Sequence, residues 1–192
     1  MSDALNIILA STSPRRKELL EQVGLQFTTA SIDIDESHVE GEIPSDYVVR
    51  LAREKALAAM PAFPKDTVII AADTTVTIDG HILGKPVDQE DAFAIWQLLS
   101  GRTHQVMTGV AVAYAGEIQT AIVKTDVEFL PLTPQQMQSY WDSGEAIGKA
   151  GGYAIQGRGA AFIPRIQGSY SNVVGLPLVE TLALITTAKE QR

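Results

Sequence analysis

The pattern of apolar and polar positions in the first part of the chain predicts a strand, a helix and a second strand. Residues 6–10 form a short apolar run, which is typical of a buried strand. A helix of about ten residues is expected to follow, because Pro14 suits the first helical position and Gly24 suits a helix end. Over residues 27–36 isoleucines alternate with aspartates, and this period of two predicts a half-buried strand.

The rest of the chain reads as further helices mixed with hairpins. Helical patterns cover residues 44–60, 88–100, 133–144 and 177–189. The apolar run 68–72 predicts a buried strand that leads into a hairpin at Asp79-Gly80, and residues 104–130 predict two long antiparallel strands that join near Gly116. This mixture predicts an α/β or mixed α+β fold, in which helices cover a sheet.

Length and composition narrow the functional classes. The chain has 192 residues and no linker rich in Pro, Gly or Ser, so residues 1–192 are expected to form a single domain. It has no membrane-spanning stretch and no signal-peptide pattern at its start, which predicts a cytoplasmic protein with no membrane partner. The net charge of −8 disfavours nucleic acid as a partner, because binding to a phosphate backbone needs a basic surface.

Cysteine and histidine usage excludes further chemistry. The chain contains no cysteine, which rules out disulfides, thiolate nucleophiles and cysteine-based zinc sites. Its histidines, His38, His81 and His104, are far apart and form no metal-binding pattern. An anionic ligand would therefore need a local group of basic residues in an otherwise acidic protein.

The turn between the first strand and the first helix combines groups suited to an anion. Ser11, Thr12 and Ser13 precede the helix, and Arg15 and Arg16 lie in its first turn. A helix N-terminus carries a partial positive charge, so two arginines there are unfavourable unless an anion binds. Hydroxyls, unpaired amides and guanidinium groups together would bind phosphate. The alternative is that both arginines point into solvent.

Three further charged residues are candidates for the same site. Lys55 falls on the apolar face of the helix predicted over residues 44–60, where it either meets an anion in a cleft or extends to the edge of that face. Asp73 directly follows the apolar run 68–72, at the expected carboxyl end of a strand, although it could equally start a turn. Lys85 on its own reads as an ordinary surface lysine.

If the anionic ligand is a triphosphate, the site also needs carboxylates, because magnesium is usually held by one or two carboxylates together with phosphate oxygens. The candidates are Asp33, Asp35, Glu36 and Asp73. The acidic segment could equally be a solvated edge strand, since charged edges prevent aggregation. Toward the C-terminus a glycine-rich stretch includes Lys149 and Gln156, and its glycines would let the backbone approach a ligand closely.

Taken together, the motifs resemble those of a known protein family. The segments "ILASTSPRRKELL", "DIDES", "VRLAREKA", "AADTTV", "LGKP", "LSGRTHQVMTGV", "GKAGGYAIQG" and "GSYSNVVGLPLVET" follow in this order along the chain. In combination they are similar to the Maf family of nucleotide pyrophosphatases over nearly the whole sequence.

The resemblance implies a fold and an activity. The fold would be related to that of inosine triphosphatases, with a mixed sheet covered by helices and two lobes around a central cleft, often in a homodimer. The activity would be hydrolysis of a nucleoside triphosphate to the monophosphate and pyrophosphate. It would need a divalent cation, Mg²⁺ or Mn²⁺, and would serve as a cytoplasmic house-cleaning reaction.

The resemblance also assigns site residues by motif. The phosphate-binding turn would consist of Ser11, Ser13, Arg15 and Arg16. The catalytic cluster would consist of Glu36, Lys55, Asp73 and Lys85. Asp73 would accept a proton, and Glu36 and Asp73 would hold the metal.

Within the family, the branch that acts on dTTP and UTP is the most similar. Arg15, Thr74 and Gln156 fall on the specificity positions of that branch. Two alternatives stay open from the sequence: a pyrophosphatase for a modified or non-standard nucleotide, such as 7-methyl-GTP or a deaminated purine, and a non-catalytic regulator of septum formation.

Overall fold

The computed structural model describes residues 6–190, in which strands and helices alternate along the chain. The strands are β1 (Ile7–Leu9), β2 (Thr28–Thr29), β3 (Val68–Ile78), β4 (His81–Leu83), β5 (Thr103–Tyr114), β6 (Glu117–Glu128) and β7 (Arg165–Gln167). The helices are α1 (Pro14–Gln22), α2 (Pro44–Ala59), α3 (Gln89–Leu99), α4 (Pro134–Trp141), α5 (Tyr170–Val174) and α6 (Leu178–Glu190).

The strands of residues 6–190 form one mixed seven-stranded sheet, with the order β2-β1-β3-β5-β6-β7 and with β4 paired to β3. β1 runs parallel to both β2 and β3, whereas β5, β6 and β7 add antiparallel strands. The predicted mixed sheet covered by helices is therefore confirmed. The pairing of β1 with β3 ends at Leu9 and Ile70, so β3 continues past the carboxyl end of β1 and a cleft opens there.

The two faces of the sheet are covered differently. On one face α2 packs through alanines onto small residues of β3 and β5, and the approach is close: a Cβ added at Gly109 would overlap the backbone carbonyl of Val48. On the other face two larger clusters form, one with α1 and α6 and one around Trp96 and Phe129. The close α2 contact matters for the site, because α2 carries Lys55.

Turn residues end the elements as the sequence predicts. Asp79 and Gly80 turn between β3 and β4 with positive φ angles of 51° and 80°. Asp88 caps α3 by accepting a hydrogen bond from the amide of Asp91, and Gly101 follows that helix with a φ of 69°. The strands β5 and β6 join at Gly116, and α6 follows Pro177.

The strand predicted over residues 27–36 is mostly wrong. Only Thr28–Thr29 pairs as a strand, and residues 30–39 have no regular secondary structure. The side chains do alternate in burial, with Ile32 and Ile34 half-buried. However, β1 ends at Leu9, whose carbonyl accepts the last backbone hydrogen bond from Ala30, so the chain beyond has no neighbouring strand with which to pair.

Asp73 does not lie at the carboxyl end of its strand. β3 continues to Ile78 because Thr75, Val76 and Thr77 are buried and because β5 pairs beside it over this whole stretch. Asp73 therefore lies in the middle of β3, opposite Gly109 of β5. No sequence pattern indicated β7 or α5. That residues 1–192 form a single domain stays a prediction.

None of the helices within residues 6–190 combines the length and the apolar character needed to cross a membrane.

Candidate active site

A cleft of about 370 Å³ opens at the carboxyl end of β1. Its lining includes every residue that the sequence assigned to the site, namely Ser11, Ser13, Arg15, Arg16, Glu36, Lys55, Asp73, Thr74, Lys85 and Gln156. Lys149 also lines it. The structure therefore brings together residues that are widely separated in the sequence, while their individual roles stay predictions.

The start of α1 forms one wall of the cleft. Ser13 is the N-cap residue, but its side chain makes no capping hydrogen bond, and Pro14 occupies the first turn. The Ser13 amide instead donates to Ser11 Oγ at 3.2 Å. The first-turn amides of a helix have no intrahelical acceptors, so this end of α1 can donate to an anion in the cleft.

Both arginines of α1 are held against the cleft by backbone carbonyls. Arg15 Nε donates to the Val174 carbonyl at 3.2 Å, and Arg16 Nε donates to the Gly175 carbonyl at 2.8 Å. The remaining Arg16 nitrogens donate to Ser11 Oγ at 3.3 Å and to Thr74 Oγ1 at 3.1 Å. The alternative of solvent-directed arginines is therefore wrong. Burial lowers the pKa of both guanidinium groups, which nevertheless stay charged at neutral pH.

A buried polar network lies next to the carbonyls that hold the arginines, around Asn172 of α5. Asn172 is fully buried at the start of α5, where Nδ2 donates to the Val106 carbonyl at 3.0 Å and to Thr125 Oγ1 at 2.9 Å. Its own carbonyl accepts from Thr108 Oγ1 at 3.2 Å, and Thr108 is 2.9 Å from Thr74 Oγ1. Asn172 is not among the site residues predicted from the sequence. Its one signal there is its place in the motif "GSYSNVVGLPLVET".

Lys55 lies at the centre of the charged part of the cleft. It projects from the buried face of α2 and is 9% exposed. Its Nζ is 2.7 Å from Asp73 Oδ1 and 2.7 Å from Glu36 Oε1. Lys55 therefore meets anions in a cleft. The alternative in which Lys55 extends to the edge of the helix face is wrong, and so is the alternative in which Asp73 starts a turn.

Glu36 reaches the cleft from the acidic segment that follows β2. Burial raises the pKa of its carboxyl group, but the hydrogen bond and the charge of Lys55, together with the charges of Lys85 and Arg16, outweigh this effect and hold the pKa below its usual value. The segment is anchored to α2, since Tyr47 donates to the Glu36 carbonyl at 3.0 Å and Arg50 donates to the Ser37 carbonyl at 3.1 Å. The alternative of a solvated edge strand is therefore wrong.

The far wall of the cleft comes from Lys85 and the glycine-rich segment. Lys85 is exposed, and its charge helps to lower the pKa of Glu36. Lys149 Nζ donates to the Glu145 carbonyl at 2.6 Å. Burial lowers the pKa of Lys149, and the nearby charge of Arg15 acts in the same direction. Further along this segment, Gln156 lines the cleft with its side chain accessible.

Two of the carboxylates considered as metal ligands meet in the cleft. Glu36 and Asp73 line it, whereas Asp33 and Asp35 are exposed and outside its lining. Within residues 6–190, no group of three or more histidine and acidic side chains is arranged to hold a metal ion. Glu36 and Asp73 are directed at one cation, Lys55, so their arrangement fits a divalent ion that takes its remaining ligands from phosphate oxygens.

The fold and the cleft together define an α/β protein whose site combines preorganised cations with two converging carboxylates. Comparison with known sequences identifies the family within this class. Residues 6–188 match the family of Maf-like proteins, and the chain belongs to the Maf family.

Similar proteins are found both by sequence and by structure. A relative named dTTP/UTP pyrophosphatase from Acinetobacter baylyi is 54% identical and aligns over 94% of this chain and 98% of its own length. A relative of the same name from Pseudoalteromonas translucida is 49% identical, over 94% of this chain and 96% of its own length. The solved Ham1 protein of Staphylococcus aureus is 16% identical, covers 65% of this chain and 71% of its own, and superposes with a TM-score of 0.47. The family assignment rests on the sequence matches.

Proposed function

We propose that this protein is a nucleoside triphosphate pyrophosphatase that hydrolyses dTTP and UTP to the monophosphate and pyrophosphate. The relatives named dTTP/UTP pyrophosphatase support the reaction and the substrates, since they align with nearly the whole chain. We further propose that the protein acts in the cytoplasm as a homodimer, and that its reaction removes nucleotides from the cellular pool.

The observation that carries the proposal is the position of Lys55 between two carboxylates in a cleft that also contains two anchored arginines. Lys55 Nζ is 2.7 Å from an oxygen of Asp73 and of Glu36. Arg15 and Arg16 face the same space. A triphosphate carries about four negative charges, so its hydrolysis depends mainly on positioning and neutralising them, and this cleft offers groups for both.

In the proposed reaction, a water oxygen forms a bond to the α-phosphorus while the bond from that phosphorus to the bridging oxygen of the β-phosphate breaks. Pyrophosphate leaves with that bridging oxygen. Asp73 accepts the proton that the water loses, and Lys55 holds the Asp73 carboxylate in place through its 2.7 Å hydrogen bond. Arg15, Arg16 and Lys85 bind the phosphate oxygens, together with Ser11 and Ser13 of the phosphate-binding turn.

Glu36 and Asp73 are the residues that would hold a divalent cation, Mg²⁺ or Mn²⁺. Such an ion, when bound, neutralises charge on the phosphate oxygens. The Glu36 carboxyl is ionised at neutral pH, since the surrounding cations hold its pKa below the usual value, so the group is a competent ligand. Arg15, Thr74 and Gln156 are proposed to select the base, by analogy with the dTTP and UTP branch.

Measuring pyrophosphate release from a panel of nucleoside triphosphates, with Mg²⁺ or Mn²⁺ present, tests the proposal. We expect dTTP and UTP to be the preferred substrates, and the Asp73→Asn variant to lose turnover by about two orders of magnitude or more while it still binds dTTP. The exposed residue Asp66 offers a matched control, because Asp66→Asn removes the same charge away from the cleft.

Three outcomes would contradict parts of the proposal. Asp73→Asn that releases pyrophosphate at the wild-type rate would refute the role of Asp73. A preference for 7-methyl-GTP or a deaminated purine would refute the base assignment and keep the phosphate chemistry. A wild-type protein that hydrolyses none of the panel would favour the non-catalytic regulator of septum formation.

A further inference from the structure

The segment that carries Gln156 is held by one acidic residue outside the cleft lining. Glu145 lies after α4, and both of its carboxylate oxygens accept backbone hydrogen bonds from the far side of this segment. Oε2 accepts from the Arg158 amide at 2.8 Å, and Oε1 accepts from the Gly159 amide at 3.0 Å. The carboxylate thus takes the place of a missing strand or helix partner for these amides.

Tyr140 and Glu145 together form an anchor for this segment, because Tyr140 holds its other end. Its hydroxyl donates to Glu145 Oε1 at 2.6 Å and accepts from the Ala154 amide at 3.1 Å. Residues 154–159 are therefore fixed at both ends by one pair of side chains, and Ile155 and Gln156 lie between the fixed points. Both of these residues line the cleft.

The space around the anchor is shaped for the carboxylate. A Cβ added at Gly157 would overlap the Glu145 carboxylate, and the backbone there has a φ of −117° and a ψ of −146°. The Glu145 carboxyl is ionised: burial raises its pKa, but hydrogen bonds from Tyr140 and from the two amides outweigh burial and lower it. The Glu145 backbone carbonyl also accepts the hydrogen bond from Lys149, another cleft residue.

We propose that Glu145, together with Tyr140, is a positioning residue that sets the substrate affinity and base selectivity of the cleft by holding Ile155 and Gln156 against its wall. The inference rests on the proposed function, because it assigns a role within the same site. Glu145 touches no reacting group in this arrangement. Its loss should therefore change binding of the nucleotide more than the chemical step at Asp73.

Three substitutions test the anchor at separate points. Glu145→Ala removes it, Tyr140→Phe removes one hydroxyl and leaves the ring packed, and Gly157→Ala displaces the carboxylate. We expect each to raise KM for dTTP by about threefold to tenfold with kcat within about twofold of wild type, since two or three hydrogen bonds are lost or displaced. The preference for dTTP over dCTP should fall by a similar factor.

Two designs make the test specific. Asp142→Ala is the matched control, because this exposed acid lies three residues before Glu145 and accepts only from Gln138 in the described hydrogen bonds. In the double variant Glu145→Ala/Gly157→Ala the overlap no longer exists, so its KM should not exceed that of Glu145→Ala. Amide hydrogen exchange of residues 154–159 should be faster in each single variant and unchanged in the control.

The outcomes separate this inference from the proposed function. An unchanged KM and selectivity, or a fall in kcat alone, would overturn the positioning role even if Tm decreases. If the wild-type protein fails to hydrolyse dTTP, the proposed function fails. Calorimetric binding of dTTP in EDTA then decides the inference: Glu145→Ala must weaken binding by the same threefold to tenfold factor, and equal affinities would refute it.

Discussion

Replacing Lys55 by methionine would test the central ion pair of the cleft. Methionine keeps most of the volume of the side chain and removes the charge, so the packing of α2 on the sheet is preserved. The Asp73 side chain, which is 12% exposed, would lose the ammonium that lies 2.7 Å from its oxygen. A buried carboxylate without a partner is unfavourable, so the variant should be less stable.

The size of the effect follows from the surroundings of each carboxylate. Removing one partner of a buried ion pair costs about 3–5 kcal/mol. The Glu36 side chain is 47% exposed, so solvent screens its share, and Arg16 still attracts Asp73. We therefore expect Lys55→Met to lower the free energy of unfolding at pH 7 by about 3 kcal/mol. Lys55→Met/Asp73→Asn buries no unpaired charge there and should lose about 1 kcal/mol or less.

Urea unfolding of the wild type, both single variants and the double variant measures the coupling directly. With about 3 kcal/mol for Lys55→Met and about 1 kcal/mol for the double variant, the interaction energy between Lys55 and Asp73 should be about 2 kcal/mol plus the cost of Asp73→Asn alone. Arg53→Met is the matched control, since Arg53 lies on the exposed face of the same helix. Initial rates of pyrophosphate release from the same samples should show lost turnover for every variant at Lys55 or Asp73.

Additivity would refute this reasoning. If Lys55→Met costs the same free energy in the wild-type protein and in the Asp73→Asn variant, the two side chains do not stabilise each other in solution. A Lys55→Met variant with lower Tm but wild-type turnover would further show that Lys55 contributes packing alone.

Two other predictions concern residues of β5. Burial lowers the pKa of His104 from 6.5 to about 4, so the unfolded chain binds a proton that the folded protein excludes. Stability should therefore fall by about 3 kcal/mol as the pH drops from 6.5 to 4, and urea unfolding of His104→Gln should show a flatter pH profile; an identical profile would refute the assignment. Gly109→Ala should destabilise the fold by about 2 kcal/mol or more and reduce turnover, because the added methyl group overlaps the Val48 backbone and pushes α2 outward. Wild-type unfolding and activity would contradict this.

The sequence predicted the elements whose signals are local. Pro14 begins α1, Asp79 and Gly80 turn between β3 and β4, and Gly101 follows α3, each at a position where its backbone preference applies. By contrast, β7 and α5 are short and depend on distant contacts, such as the Ser169 amide that donates to Thr125 Oγ1 at 3.0 Å. No pattern within these short segments indicates such a partner.

The site, too, could be predicted only where its signals are local in the sequence. The prediction of an anion site at the start of α1 needs only the residues of one turn, and the structure places that turn in the cleft. The acceptors that orient its arginines, the carbonyls of Val174 and Gly175, lie at the other end of the chain. Backbone groups carry no sequence signal, so these contacts required the fold.

The kind of group that holds each cation determines what that cation can do. Arg15 and Arg16 donate to neutral carbonyls and hydroxyls, which orient the guanidinium groups and leave their charge available to a polyanion. Lys55 is instead neutralised by two carboxylates. If the proposed function is correct, affinity for the triphosphate should therefore rest mainly with the arginines, whereas Lys55 should act through the orientation and charge of Asp73. This division would let a protein of net charge −8 attract an anion and still keep an ionised carboxylate beside it.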